Sequence, residues 1–251
     1  MNFDISHLLE HWDYQPGQIV VRRFKGKDGT DKIQLRVDLG LLQMNAEGRP
    51  DGKRPLGHES LFEYQQARLL KHVDARGNEE GFVLKAEDVS KLQLEALQYH
   101  HRYICLLELE DFPAVVRDTQ RNAAVFDFVA KYAENEELAW SLQQFRPQLL
   151  LIQTRARANE KLASRRYADA ARMIDAGINA LRQFYTDYGR HEAGDQSQEV
   201  SYLENWKGEI NTKRPLTRRE KLELALHEAV RQENYEKAAE VRDALRKLES
   251  E

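Results

Sequence analysis

Between Ala86 and Tyr188 the chain carries one glycine, Gly177, and two prolines, Pro113 and Pro147. A stretch of that length almost free of helix breakers, and dominated by Glu, Arg, Ala, Leu and Gln, has helix as its expected state. The few interruptions set the boundaries. Four helices are expected, at about 86–109, 112–133, 136–164 and 167–188. Asp111 stands just before Phe112-Pro113, where its carboxylate can accept bonds from unpaired first-turn amides and the proline forfeits none. Pro147 falls inside the third segment and is expected to kink it, because it lacks the N–H that a helix interior requires.

The two ends read differently. Ile19 to Phe24 and Lys32 to Asp38 flank GKDGTD, and in the second run Ile33, Leu35 and Val37 alternate with Gln34, Arg36 and Asp38. Such alternation predicts a β-hairpin turning near Asp28-Gly29 with one half-buried face. LGLLQM and the Gly- and Pro-rich NAEGRPDGKRPLGH follow, then a helix-like stretch from about Ser60 to His72. Gly189 to Pro215 is polar and broken, and reads as a linker whose middle Tyr202, Leu203 and Trp206 could pin to a core. The expected organisation is a mixed α+β module over 1–80, a helical domain over 81–188, a linker over 189–216 and a helical hairpin over 217–251. The fold class is mainly α.

The hairpin restarts the helical pattern after Pro215. Thr217 with Glu220 spells a capping box. Leu222, Leu226, Ala229 and Val230 form one stripe, Ala238, Val241, Leu245 and Leu248 another, and Asn234 stands between them as a turn and N-cap residue. At an offset of 68 residues, Glu160, Tyr167, Ala170, Ala171 and Asp175 line up with Glu228, Tyr235, Ala238, Ala239 and Asp243. EDFPAVV, from Glu110, is a poorer third copy. Each places an aromatic at a turn and small residues where two helices approach, a pattern shared with tetratricopeptide-like repeats.

LELALHEAVRQENYEKAAEVRDALRKL, residues Leu222 to Leu248, resembles the UVR motif, the helical hairpin of the excinuclease B and C subunits, some Clp-type ATPases and the arginine-kinase activators. The resemblance rests on Leu222, Leu226, Tyr235, Glu236, Ala238, Ala239, Val241, Arg242, Asp243, Leu245 and Leu248, with Tyr235 where phenylalanine is usual and Leu226 where methionine is common. It implies a protein-interaction element that pairs with another such hairpin or a related surface. Two short helices bury little area between themselves, so their outer apolar edges gain by being covered. Leu222, Leu226, Tyr235, Ala238, Ala239, Val241, Arg242, Asp243, Leu245 and Leu248 are therefore the candidate partner-binding residues. The partner expected is another protein or a second copy of this chain.

Other chemistry is thinly represented. HLLEH, His7 to His11, spells a zinc-peptidase pattern, but no third ligand stands out and an amphipathic helix is the simpler expectation. His100, His101 and Cys105 could share a helical face, which more often means core than nucleophile. GRPDGKRP, Gly48 to Pro55, lacks the spacing and the Ser/Thr of a Walker A loop. Without such a loop, a nuclease signature or Cys-rich fingers, the chain departs from excinuclease B, excinuclease C and the kinase activators alike. No catalytic residue, cofactor or metal is expected.

Charge gives one alternative. The net charge is −4, from 38 basic and 42 acidic residues, so no global field attracts nucleic acid or an anionic membrane. Yet Val20 to His58 holds nine basic residues (Arg22, Arg23, Lys25, Lys27, Lys32, Arg36, Arg49, Lys53, Arg54) against five acidic (Asp28, Asp31, Asp38, Glu47, Asp51), a local +4. Arg49, Lys53 and Arg54 are the candidate anion-binding set, and a DNA-repair accessory contacting nucleic acid through this module is the alternative function. The single cysteine and the lack of a leader-like or membrane-spanning apolar run make a cytoplasmic setting the expectation.

Overall fold

The computed structural model describes residues 4–215 and 218–249. The chain divides into two compact units, 1–207 and 208–251. The first opens with a four-residue helix, α1 (Ser6–Leu9), and a three-stranded antiparallel sheet of β1 (Val20–Lys25), β2 (Asp31–Val37) and β3 (Gly40–Asn45), in that order. The hairpin expected near Asp28-Gly29 is present. Asp28 accepts from the Thr30 amide at 3.0 Å, and Gly29 supplies the positive φ, +76°, that the reversal requires. Register pairs Val21 with Leu35 and Ile33 with Met44, putting these four on the face that joins the helical core.

Helices follow: α2 (Leu61–Arg76), α3 (Ala86–Glu108), α4 (Phe112–Tyr132), α5 (Glu136–Gln143), α6 (Arg146–Ala163), α7 (Tyr167–Asp187), α8 (His191–Asp195) and α9 (Gln198–Lys213). Ser60 caps α2 by accepting from the Glu63 amide, and Asp111 caps α4 by accepting from the Ala114 amide at 3.3 Å. The segment expected as one kinked helix over 136–164 is two helices. A proline in a helical interior would strand the carbonyl four residues earlier, so the chain stops at Gln143 and restarts with Pro147 in the first turn of α6. The segment read as a polar linker is also corrected: it carries α8 and α9. Lys207 of α9 bonds Asp175 of α7 at 2.5 Å, Glu204 accepts from Arg182 at 3.0 Å, and Arg155 of α6 lies over Tyr202. These contacts run residues 202–207 of α9 antiparallel to α7, with Val200 and Leu203 fully buried.

Apolar side chains form two clusters. One gathers Phe62, Leu84, Leu92, Val125, Phe128 and Leu149, and the other Ile33, Met44, Leu106, Val115, Ile152 and Ala156. Along α3 and α4 the turns between them are polar yet buried: Glu95, Tyr99 and Arg102 on α3, Asp118, Thr119 and Asn122 on α4. Arg102 grips Asp118 through both arms of its guanidinium, at 2.6 and 2.9 Å, and gives its remaining nitrogen to the carbonyls of Asn45 and Gly48. Glu95, with no exposed side-chain surface, accepts from Arg49, Arg121 and the first two amides of α2. The carboxylate thereby caps α2 from a neighbouring helix. Tyr99 completes the layer, its ring 4.0 Å from the Arg121 guanidinium and 4.8 Å from that of Arg102.

A buried pair is held against desolvation only while both partners remain. Asp118→Ala is expected to destabilise the fold by about 3–5 kcal/mol in urea unfolding, through the unpaired charge left on Arg102. The double variant Arg102→Met, Asp118→Leu should recover only part of this, since the Asn45 and Gly48 carbonyls then lose their donor. His100 adds a pH dependence: burial, with His101 nearby, lowers its pKa from 6.5 to about 4. The unfolded chain takes up that proton first, so stability is full above about pH 6.5 and falls as pH drops toward 4. Thermal melts of His100→Phe should show a shallower acid slope than those of the parent chain.

Candidate protein-interaction surface

The second unit contains α10 (Arg218–Arg231) and α11 (Tyr235–Glu249), an antiparallel hairpin joined by three residues. Glu233 takes φ +56°, its amide bonding the Val230 carbonyl while the Asn234 amide reaches back to Ala229 at 2.9 Å. This is a Schellman turn with glutamate where glycine is the relaxed choice. Asn234 then caps α11, its side-chain oxygen accepting from the Lys237 amide at 3.2 Å. The capping box read at Thr217 and Glu220 falls on residues whose side chains lie outside those described.

The same turn joins α3 to α4 and α6 to α7. Glu110 and Arg165 stand at φ +56° and +57°, each two residues before an aromatic that starts the next helix, Phe112 or Tyr167. The amides of Asp111 and Arg166 reach back to Leu106 and Lys161, as Asn234 does to Ala229. The sequence echo at offset 68 thus marks one backbone device used three times, and Arg165 aligns with Glu233. The likeness weakens along the helices. A Cβ on Gly177 would collide with Thr154 where α6 and α7 cross, whereas the aligned tail residues are Leu245 and Leu222.

Among the described residues of α10 and α11, only Ala229 and Ala238 are buried, at 2% and 8% exposure. These small side chains are where the helices meet. Leu222, Leu226, Ala239, Val241, Leu245 and Leu248 are half-buried, while Leu224, Val230 and Tyr235 are exposed, Tyr235 by 70%. Arg242 and Asp243, named above as candidate partner-binding residues, bond each other along the helix at 3.1 Å, with both side chains mostly in solvent. Such a pair is worth little to stability and is easily exchanged for another partner.

Two of the three candidate anion-binding residues are already engaged by carboxylates. The Arg49 guanidinium is 10% exposed and held by Glu95 and Asp51, and Arg54 pairs with Glu59. Of the three, Lys53 alone has a side chain without a carboxylate partner among the described residues, although its backbone amide donates to Asp51 at 3.0 Å. Arg23, Lys25 and Lys32 pair with Asp111, Asp31 and Asp28, and Arg36 donates to backbone carbonyls of the β2–β3 turn. Of the nine basic residues, Arg23, Lys25, Lys32, Arg49 and Arg54 thus have carboxylate partners. The other motifs do not assemble a reactive group. α1 ends at Leu9, so His7 and His11 do not share a helical turn, and Cys105 is wholly buried, its thiol pushed up to about 12 by desolvation. His100 bonds Tyr103 through Nδ1 at 2.8 Å. Among the described residues, no group of three or more His, Cys, Asp or Glu could hold a metal ion, and no helix is long and apolar enough to cross a membrane.

A family model, UVR, described as the UvrB/uvrC motif, matches residues 217–251, the segment that contains this hairpin. The resemblance read from Tyr235, the paired alanines and Arg242-Asp243 is therefore a motif match confined to the tail. No curated protein and no solved structure matches the chain.

The αL position makes one test direct. A residue with a Cβ pays about 1–2 kcal/mol to sit there relative to glycine. Glu233→Gly should slow amide hydrogen exchange through α10 and α11 about five-fold, a gain of about 1 kcal/mol, without changing helix content.

Proposed function

We propose that this chain is a non-enzymatic adaptor that docks a partner protein, or the same hairpin of a second copy, through α10 and α11. The observation carrying this reading is the burial pattern: the helices cover two alanines and leave the larger apolar groups, Leu224, Val230 and Tyr235 above all, in contact with water. A partner would gain the uncovered area of the leucine edges, anchored by Tyr235, while Arg242 and Asp243 exchange their local bond for intermolecular ones. The UVR match supports the same reading, since the motif occurs in protein-interaction and DNA-repair settings. Cys105 is the only cysteine in the chain, so no internal disulfide opposes action in the cytoplasm.

The test uses the full chain. Tyr235→Ala combined with Val230→Ser should weaken partner capture and any self-association by at least about ten-fold, the typical loss for an aromatic hot spot. Circular dichroism should stay unchanged, because neither side chain is buried. Identical capture profiles and identical sedimentation for parent and variant would remove the hairpin from the binding event.

A further inference from the structure

A second surface, remote in sequence from the tail, has the shape of a small-molecule site. Between α3 and α4 on one side and α5 with the start of α6 on the other lies a cavity of about 410 Å³, within the range of ligand pockets. Its walls are mainly apolar, with Ala96, Phe126 and Leu142 inside. Leu94, Leu97 and Phe145 form its rim and are exposed by 64%, 47% and 46%. Three large apolar side chains around one concavity form a contiguous patch, unlike the scattered exposure normal on a surface.

The polar groups in the cavity define what it can hold. No Asp, Glu, Lys or Arg lines it. Asn122 and Tyr103 lie deep, at 1% and 3% exposure, and Asn122 is held by the Ala96 carbonyl. The Tyr103 phenol lies 2.8 Å from His100 Nδ1, which ties the imidazole to the deep end of the cavity. Burial keeps that imidazole uncharged near neutral pH. Gln93 and Gln148 add amide ends without an intramolecular partner among the described residues.

We propose that this cavity binds a neutral ring compound bearing one uncharged hydrogen-bonding group. An ionised ligand would shed its hydration for a lining with no opposite charge, which is costly. A neutral ring buries its faces against Leu94, Leu97, Phe126 and Phe145, with its polar group met by the glutamine amides or the His100 ring. This site does not depend on the hairpin or its partner.

Two fluorescent probes with the same rings separate the outcomes: neutral N-phenyl-1-naphthylamine and its sulfonated analogue 8-anilino-1-naphthalenesulfonate, each titrated into the full chain. The neutral probe should show one saturable site per chain, and the sulfonate should bind at least ten-fold more weakly. Leu97→Asp and, separately, Phe145→Ser should each weaken the neutral probe about ten-fold or more. Both positions are rim residues, so the fold is retained, which circular dichroism checks. Leu39→Asp, a position 90% exposed in the β2–β3 turn, should leave binding unchanged. Non-saturable uptake, equal affinity for the two probes, or binding indifferent to both rim variants overturns the proposal.

Discussion

The first unit depends on a layer of charge in its own interior. Arg102 and Asp118 tie α3 to α4, and the spare nitrogen of Arg102 holds the end of β3 and the loop beyond it. Glu95 does the equivalent for α2, whose first amides end on its carboxylate beside Arg49 and Arg121. Apolar clusters lie on either side, but they are non-directional and would tolerate several relative placements of sheet and helices. The polar layer does not: each oxygen has its donor in one arrangement only. Basic residues that resemble an anion site in sequence are, in part, the pins of this layer.

What the sequence conveys about the fold follows from periodicity and from residues with special backbones. Alternation in β2, the proline entry to α4, and the stripes of α10 and α11 are local signals, whereas Pro147, read as a kink inside one helix, marks the start of a second. The elements they predict are present, displaced by a few residues at most. α9 escaped because its buried apolar groups, Val200, Leu203 and Ile210, are few within a charged run, and the contacts of its first part with α6 and α7 lie outside any local window. The Arg102–Asp118 pair escaped for the same reason. Sixteen residues of separation place the two on successive helices, and periodicity says only that each faces inward.

The turns make a subtler case. A left-handed residue is ordinarily announced by glycine, and here Glu110, Arg165 and Glu233 occupy it. The legible trace was indirect, an aromatic two residues later and small residues along the helix that follows. At the candidate surface the motif pattern identified α10, α11 and the Asn234 cap, whereas the degree of exposure, with Tyr235 outward and only two alanines covered, needed three dimensions.

The three-residue reversal at Glu233 has a further consequence. Two helices joined by so short a link can separate by little and slide by less, however few contacts they make with each other. The apolar edges of α10 and α11 therefore stay close beside the turn, and under the proposed docking role an incoming surface would meet two helices already paired instead of two to be gathered. On that proposal little ordering entropy would be left to lose on contact, so that a modest covered area would suffice for a specific, readily reversible association.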